Sequence, residues 1–236
     1  MIKLTMSMKF FKTIIKVYET ESTMDLAKKL FESLELPFII IADIQKTGRG
    51  QHKRVWHSPQ GGLWFTEVME IPTPLGLSTY ISIPIMRVLK RYLKSVKLKW
   101  PNDILFKGKK IAGILIEIKG SIAFIGIGIN VENEIPDQIK NIATSINEKI
   151  KLDKNKIFNE IIEEQGNLNS IFFEKGFKYF REEYKKNLIL MNKETSIKTE
   201  KIIQGKVKDV TENGELILET SNGEIIISCG TVISYK

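Results

Sequence analysis

Residues 46 to 59, KTGRGQHKRVWHSP, combine residue types that suit the binding of a nucleotide. The two glycines would let backbone N–H groups approach a phosphate closely, and Arg49 and Arg54 can donate paired hydrogen bonds to its oxygens. Trp56 could stack on the face of a purine. A surface loop that anchors one tryptophan in the core would have the same composition, so this motif alone leaves both interpretations open.

A second motif, residues 99 to 113, reads KWPNDILFKGKKIAG. Its proline stiffens a turn before Asn102 and Asp103, and the Asp103 carboxylate suits a magnesium ion or a polar ligand group. Lys110 supplies a compact positive charge for an anion, and Gly113 permits close approach of a ligand. The alternative is an ordinary β-turn, with Asn and Asp as turn formers and a solvated lysine.

Regular elements must position both motifs, and hydrophobic periodicity predicts where they lie. The predicted elements are, in order, a capped helix over residues 22 to 35, strands over 37 to 45 and 61 to 71, an amphipathic helix with a basic exterior over 84 to 97, a series of strands over 98 to 132, and a helical region over 155 to 187 that is interrupted near Gly166. This order predicts a domain of mixed α and β structure.

The chain changes character near residue 190. Two Asn-Gly pairs, at residues 213 to 214 and 222 to 223, each stand between strand-like runs, which is a strong hairpin signal. Two tight hairpins need further strands to close their edges, so we expect a small β-barrel here. The predicted organisation is a mixed domain over residues 1 to 188 and a β module over residues 189 to 236.

The composition is typical of a folded, soluble protein, since 42% of the 236 residues are hydrophobic and 27% are charged. The first 23 residues mix lysine into their apolar positions, unlike a signal peptide or a membrane span, so we expect a cytoplasmic protein with no membrane partner. Cys229 is the only cysteine, which excludes an intrachain disulfide and a multi-cysteine metal site. We expect Cys229 to be a buried filler at a strand end.

The net charge is +8, and residues 87 to 110 contain nine Lys or Arg against a single acidic residue, Asp103. Such a face could neutralise the phosphates of a nucleic acid, hold a small ligand that carries phosphate, or meet an acidic protein. A solvated helix face is the commonest explanation of a charge run. Charge alone does not separate these classes of partner.

The two motifs, in this order, resemble those of the biotin-protein ligases. The loop reads GRGQHKRVWHSP where the family has GRGRxGRxW.SP, and GGLW follows it; KWPNDI and KKIAGILIE are nearly intact, and GIGIN stands at residues 126 to 130. The resemblance runs from residue 18 to residue 150, and the β module resembles the family's C-terminal barrel. Because there is no room for a helix-turn-helix before Tyr18, we expect the short class without a DNA-binding domain, and no specific DNA binding.

This resemblance implies a fold like that of the class II aminoacyl-tRNA synthetases, a mixed β-sheet with helices packed on it, followed by a small SH3-like β-barrel. It implies an ATP-dependent ligase with biotin and ATP as substrates and with Mg²⁺. Such an enzyme forms biotinyl-5'-AMP, releases pyrophosphate and transfers biotin to a lysine of a biotin carboxyl carrier protein. An exposed sheet edge could pair with this carrier or form a homodimer, and both remain open.

The resemblance also assigns roles to residues by their positions in the motifs. The residues that would contact the biotin ring and carboxylate are Ser22, Thr23, Gln45, the backbones of Gly48 and Arg49, Trp64 and Gly113. Those that would contact the nucleotide are Gly50, Gln51, Arg54, Asn130 and Trp56, the last stacked on adenine. The catalytic residues would be Lys110 and Arg49, which face the carboxylate and the α-phosphate, and Asp103, which with Asn102 would order the metal, the phosphate or the incoming lysine.

Three positions depart from the family pattern. Gln51 stands where arginine is usual, Lys53 where glycine is usual, and Met24 where asparagine is frequent. A neutral amide at position 51 removes a cation that could retain the adenylate, and Lys53 returns the charge with a different geometry. We hypothesise that this chain holds its adenylate less tightly than its relatives do.

The loop over residues 46 to 57 is expected to be mobile when empty and to order over the ligand. Ordering would exclude water from an anhydride that water destroys, so bound ligand should protect the loop from proteolysis.

Two other functions compete with this interpretation. Lipoate-protein ligases share the fold and the adenylation step, although the two motifs favour biotin. A nucleic-acid-binding module would use the positive charge and the β-barrel, and would bind DNA with a steep salt dependence. The β module could also help to recognise the carrier, which is compatible with the ligase.

Overall fold

A computed structural model describes residues 2–4, 10–148 and 151–236, and the side chains of residues 2–4, 53 and 148 lie outside the description. The first sheet that these residues form contains the strands β1 (Ile2–Leu4), β2 (Thr13–Thr20), β3 (Phe38–Gln45), β4 (Leu63–Glu70), β5 (Val96–Lys99), β6 (Asp103–Phe106), β7 (Lys109–Lys119) and β8 (Ile122–Ile129). They lie in the order β1-β2-β3-β4-β8-β7-β6-β5. The pair β2–β3 is parallel and the other pairs are antiparallel, which confirms the predicted mixed sheet.

Helices cover both faces of this sheet. The α-helices are α1 (Thr23–Leu30), α2 (Leu77–Tyr92), α3 (Lys154–Lys175) and α4 (Arg181–Asn187). Alternate residues of a strand point to opposite faces, so Phe65 of β4 packs in the core under α2 and α3 while Val68 packs beside α1. Both faces of β4 are therefore buried, which explains its nearly continuous apolar sequence.

Helix α2 differs from the helix predicted over residues 84 to 97, which is wrong at both ends. The helix begins earlier, at Leu77, and Pro84 lies inside it. Burial of the apolar side chains in its first two turns compensates for the stabilisation that is lost because the proline cannot donate a backbone hydrogen bond. The helix ends at Tyr92, and the residues that follow enter strand β5 instead.

The predicted interruption of the next helical region near Gly166 is also wrong. Helix α3 is continuous through Gly166, where the nearest described atom to an added Cβ would be the Cβ of Phe10, at 3.4 Å. The chain breaks at Gly176 instead, whose φ of 66° lies in the left-handed region that glycine adopts easily. Helical periodicity therefore located the element but not its end.

The basic exterior predicted for α2 is an interhelical ion-pair network. Arg87 contacts Glu183 at 2.7 Å and Glu164 at 3.1 Å. Arg91 contacts Glu160 at 3.3 Å and also pairs with Glu164. These two arginines therefore face acidic residues of α3 and α4 rather than an open surface that could meet nucleic acid.

The second sheet is antiparallel and five-stranded, in keeping with the predicted SH3-like barrel domain. Its strands are β9 (Glu194–Lys198), β10 (Ile202–Val210), β11 (Leu216–Thr220), β12 (Gly223–Ile227) and β13 (Thr231–Tyr235), in the order β12-β11-β10-β9-β13. Both Asn-Gly hairpins are confirmed, since Gly214 and Gly223 take φ values of 81° and 104° at the two turns. Cys229 is exposed in the connection after β12, so the expectation of a buried thiol is wrong.

The two sheets share one hydrophobic core, to which Val207 and Leu218 of the second sheet contribute. A buried hydrogen bond also joins them, because the indole Nε1 of Trp100 donates to the carbonyl oxygen of Gly214 at 2.9 Å. The first sheet and its helices end with α4, and β9 follows; a domain boundary between residues 188 and 189 remains our proposal.

Candidate active site

A cleft of about 610 Å³ lies over the sheet beside α1, and glycines form its floor. In β8 the alternation of the strand sends Ile125, Ile127 and Ile129 into the core and leaves Gly126 and Gly128 on the cleft side. Gly128 lies directly opposite Gly113 of β7, which also lines the cleft. In GIGIN the isoleucines therefore pack in the hydrophobic core, and the glycines that alternate with them form the floor of the cleft.

Trp56 of the loop lies on this pair of glycines. A Cβ added at Gly128 would stand 2.4 Å from the indole Nε1, and one added at Gly113 would stand 3.1 Å from Cζ3. The indole meets the ring of Trp64 edge-on, with centroids 6.4 Å apart. Its Nε1 is buried and has no hydrogen-bond partner among the described residues. Both glycines are therefore required for the position that Trp56 takes.

The loop over residues 46 to 57 has the shape of a hairpin. Isolated bridges join Gln45 to Ser58 and Arg49 to Val55. The backbone N–H of Trp56 donates to the carbonyl oxygen of Gly48 at 2.8 Å, and an added Cβ at Gly48 would lie 2.5 Å from the carbonyl oxygen of Trp56. The glycine is needed for this close crossing of the chain; mobility of the empty loop remains a prediction.

A chain of polar side chains forms the wall of the cleft beside α1. The Gln45 amide oxygen accepts hydrogen bonds from the backbone N–H and the hydroxyl of Thr23, at 2.9 and 3.0 Å, and its Nε2 donates to Ser58 at 2.9 Å. Thr23 also shares a hydrogen bond with Thr66 at 2.8 Å. Ser22 caps α1 by accepting from the backbone N–H of Asp25. This wall is rigid and polar.

Arg49 lines the cleft and pairs with two carboxylates of the protein. Its guanidinium donates to both carboxylate oxygens of Asp25, at 2.5 and 2.7 Å, and to Glu117 at 3.3 Å. The hydrogen bonds from Arg49 lower the pKa of Asp25; burial would raise the pKa of Glu117, but its pairs with Lys28 and Arg49 lower it. In this structure Arg49 therefore fastens the loop to α1 and β7, and its contact with the anionic part of the ligand remains a prediction.

Lys110 and Asp103 face each other across the cleft side of β6 and β7. The Lys110 ammonium lies 2.5 Å from Asp103 Oδ1 and 4.9 Å from the centroid of the Trp56 ring. The backbone of Lys110 is fixed by a bridge to Ala143, in the segment after β8. A cation, a carboxylate and an aromatic face thus meet at one point of the cleft.

Asn102 and Asn130 line the cleft, but their side chains bind the protein. Nδ2 of the buried Asn102 donates to the carbonyl oxygen of Ile114 at 2.6 Å. Asn130 donates to the carbonyl oxygen of Thr144 at 3.2 Å and accepts from Asn133 at 3.1 Å. Both asparagines therefore hold the surrounding backbone in place.

The structure brings most of the predicted residues together. Those that line the cleft are Ser22, Thr23, Gln45, Arg49, Gly50, Gln51, Arg54, Trp56, Asn102, Asp103, Lys110, Gly113 and Asn130. Gly48 belongs to the loop but is not among the residues that line the cleft, and Trp64 is completely buried, with its Nε1 donating to the carbonyl oxygen of Pro59 at 2.9 Å. The ring of Trp64 packs against Trp56 from behind, and its contact with biotin remains a prediction.

Several cleft residues were missed. Lys99 stands in the KWPNDI motif, where antiparallel pairing sets it opposite Asp103, so its signal was in the sequence. Tyr235 of β13 and residues 133 to 136 after β8 also line the cleft. These residues carry no motif, and only the three-dimensional fold brings them to the site.

The described residues contain no group of three His, Cys, Asp or Glu side chains that could hold a metal ion. Among the helices of the described segments, none has the length and apolar composition needed to span a bilayer.

Comparison with known proteins gives matches over both parts of the chain. The Biotin/lipoate A/B protein ligase family matches residues 16–132, and the Biotin protein ligase C terminal domain matches residues 190–234. The bifunctional ligase/repressor BirA of Bacillus subtilis is 30% identical over 210 residues, which are 78% of this chain and 62% of that protein. The biotin–[acetyl-CoA-carboxylase] ligase of Mycobacterium tuberculosis is 24% identical over 84% of this chain and 79% of its own length.

Solved structures agree with these matches. The biotin protein ligase from Aquifex aeolicus, in complex with biotin and ATP, superposes with a TM-score of 0.88 at 29% identity, over 96% of this chain and 99% of that chain. The present chain spans only about three fifths of the length of the Bacillus relatives, 62%. From its two matched domains and its fold, the chain belongs to the biotin protein ligases of the biotin/lipoate A/B protein ligase family.

Proposed function

We propose that this chain is an ATP-dependent ligase that activates biotin as biotinyl-5'-AMP and transfers biotin to a lysine of a biotin carboxyl carrier protein. One observation carries the proposal: both family motifs converge on a single cleft, where Trp56 lies on the Gly113–Gly128 floor and Lys110 lies 4.9 Å from its ring. The Aquifex aeolicus relative was solved with biotin and ATP, which supports the same pair of substrates here.

In the first step a biotin carboxylate oxygen would attack the α-phosphorus of ATP, and pyrophosphate would leave. Negative charge accumulates on the phosphate oxygens, so a fixed cation beside them lowers the barrier more than a mobile one. Lys110 suits this role because its backbone is tied to Ala143 and its ammonium is directed by Asp103. Binding of the α-phosphate would displace or share the contact with Asp103.

In the second step the neutral amine of the carrier lysine would attack the carbonyl carbon of the adenylate, and AMP would leave with the bonding electrons. A free carboxylate is a poor acylating agent, and the adenylate supplies the leaving group. The protein's contribution is then mainly positioning and charge stabilisation. Asp103 is suited to accept the proton that the attacking lysine loses.

Asp103 is also the residue that we propose for Mg²⁺. Magnesium is commonly held by one or two carboxylates together with substrate phosphates and water. A single carboxylate beside Lys110 fits an ion that arrives with the nucleotide, whereas the described residues offer no preformed site. Bound Mg²⁺ would neutralise charge on the phosphates.

Biotin is favoured over lipoate by the polar wall of the cleft. The connected side chains of Thr23, Gln45, Ser58 and Thr66 suit a ring that carries its own donors and acceptors, whereas a dithiolane ring carries none. The C-terminal domain match is likewise to a biotin protein ligase domain. We therefore propose biotin as the acid that is activated.

The test is pyrophosphate release from ATP and Mg²⁺ with biotin, lipoate or octanoate as the acid. We expect release with biotin alone. Release with lipoate or octanoate at a similar rate would overturn the choice of biotin, and no release with any acid from folded protein would overturn the adenylation.

The carrier protein is the proposed partner, and the cytoplasm is the proposed location. A homodimer also remains a prediction. The nucleic-acid alternative is weakened, because Arg87 and Arg91, two of the nine cations of the charge run, are paired with glutamates.

A further inference from the structure

Lys99 is a partly buried cation in the cleft that the two-step reaction above does not use. It ends strand β5 and lies opposite Asp103 in the sheet, yet among the described residues its ammonium makes no ion pair. Burial lowers the pKa of Lys99; Asp103 opposes this effect, and the positive charges of Lys110 and Arg54 add to it. The protein therefore keeps a cation here in an environment that disfavours its charge.

The second sheet supplies the other side of this position. The Lys99 ammonium lies 5.8 Å from the centroid of the Tyr235 ring, which is the last residue of β13. The ammonium of Lys193 lies 4.9 Å from the centroid of the same ring. Tyr235 lines the cleft, whereas Lys193 does not. The ring thus holds one lysine inside the cleft and one outside it.

The cations of the cleft fall into two groups. Arg49 and Lys110 are paired with carboxylates of the protein. Arg54 and Lys99 make no ion pair within the described part of the chain. A partly buried charge without a counter-ion is unfavourable. An anion at this end of the cleft would therefore gain more binding free energy from Lys99 than from a cation that is already paired with a carboxylate.

We propose that Lys99 binds the β- and γ-phosphates of ATP and that Tyr235, from the second sheet, holds the lysine toward them. This inference depends on the proposed adenylation, in which these two phosphates leave as pyrophosphate. It also gives the second sheet a part in nucleotide binding, through the position of Lys99. Lys110 would meet the α-phosphate, and Lys99 would meet the group that departs.

Equilibrium binding of ATP and of AMP, measured by calorimetry without biotin, tests this division. Loss of a charge-assisted hydrogen bond should weaken ATP binding by Lys99→Met about tenfold or more and leave AMP binding within about twofold of wild type. Lys99→Arg should restore most of the ATP affinity. The matched control is Lys193→Met, which removes the same charge beside Tyr235 but outside the cleft and should bind both nucleotides like the wild type.

Each alternative result contradicts the proposal. Unchanged ATP affinity in Lys99→Met, or equal losses for ATP and AMP, would show that Lys99 does not meet the terminal phosphates. If Lys193→Met loses as much ATP affinity as Lys99→Met does, the effect comes from the net positive charge of this region and not from contact of Lys99 with the phosphates. Wild-type protein that binds neither nucleotide would contradict the proposed site for the terminal phosphates, whereas the absence of pyrophosphate release with biotin, ATP and Mg²⁺ would overturn the adenylation itself.

Discussion

Thr66 and Glu67 are neighbours in strand β4, both completely buried, and they face opposite sides of the sheet. On the cleft side, Thr66 joins the hydrogen-bonded wall through Thr23. On the side that faces α2 and α3, the helix side, the Glu67 carboxylate accepts a hydrogen bond from Gln165 at 2.5 Å. Its other carboxylate oxygen has no partner among the described residues. Strand β4 therefore carries one polar side chain that belongs to the wall of the cleft and one whose burial without a full set of hydrogen bonds lowers the stability of the fold.

The helix-side cluster has further unpartnered atoms. The amide oxygen of Gln165 and the Nδ2 of Asn169 are buried without a hydrogen bond in the described structure, although Asn169 accepts from the Tyr80 hydroxyl at 2.7 Å. Burial raises the pKa of Glu67 from an ordinary 4.5 to about 8, against the hydrogen bond from Gln165. We infer that substitutions on the cleft side change activity and those on the helix side change stability.

The largest effect is expected from Lys110→Ala on the cleft side. Removal of one preorganised charge-stabilising group costs about 10²- to 10³-fold in rate, so biotin-dependent pyrophosphate release should fall by that amount with the melting temperature retained. Lys109→Ala is the matched control, because its exposed ammonium donates to the carbonyl oxygen of Lys140 away from the cleft. Equal activity of the two variants would remove Lys110 from the reaction.

Glu67→Gln should produce the opposite pattern, a change of stability with activity retained. Because the pKa of Glu67 is raised in the folded state, the folded protein binds more protons than the unfolded chain between about pH 4.5 and about pH 8. Wild-type stability should therefore fall as pH rises through this window, by an amount on the order of a few kcal/mol.

Denaturant titrations of both proteins from pH 5 to pH 9 measure this effect. The stability of Glu67→Gln relative to wild type should increase with pH and level off above about pH 8. Glu70→Gln, at the exposed end of the same strand, should show a constant difference. A constant difference for Glu67→Gln as well would contradict the assignment.

Gly128→Ala probes how strictly the cleft floor is shaped. The added methyl would stand 2.4 Å from the Trp56 indole, so the ring must move and pyrophosphate release should fall about tenfold. Gly166→Ala adds the same methyl in helix α3, outside the cleft, where the nearest described atom is 3.4 Å away, and should retain activity. If both variants are equally active, the glycine pair does not fix Trp56.

The smallest effect is expected from Gln51→Arg. Gln51 lines the cleft, so an arginine there would add a cation close to the adenylate and slow its escape a few-fold, by about 1 kcal/mol of added attraction. The measurement is the rate of biotinyl-5'-AMP release, together with stray labelling of an added protein that is not a carrier. No change in either would show that the neutral residue does not loosen the intermediate.

Local signals in the sequence were the most reliable ones. The Asn-Gly pairs predicted both hairpins because the glycine of each pair takes the positive φ that its turn requires. The ends of α2 and the break at Gly176 depended on burial against other elements, which periodicity does not contain. Pro84 was therefore mistaken for a helix start.

The residues of the site likewise divide into those with a local sequence signal and those whose position depends on distant parts of the chain. Lys110, Asp103 and Trp56 were found because they stand in long motifs, and the structure places them together. The ion pairs of Arg49 depend on Asp25 and Glu117, which are distant in sequence, so no local signal predicted these pairs. Tyr235 enters the cleft from another sheet and had no signal.

The most direct test of the account joins both half-reactions in one experiment. The protein would be incubated with biotin, ATP, Mg²⁺ and a biotin carboxyl carrier domain, and the carrier mass measured, with a carrier whose target lysine is replaced by arginine as control. We predict the mass of one biotin added to the intact carrier, dependent on ATP and absent from the control. A folded protein that leaves the intact carrier unmodified would contradict the central claim.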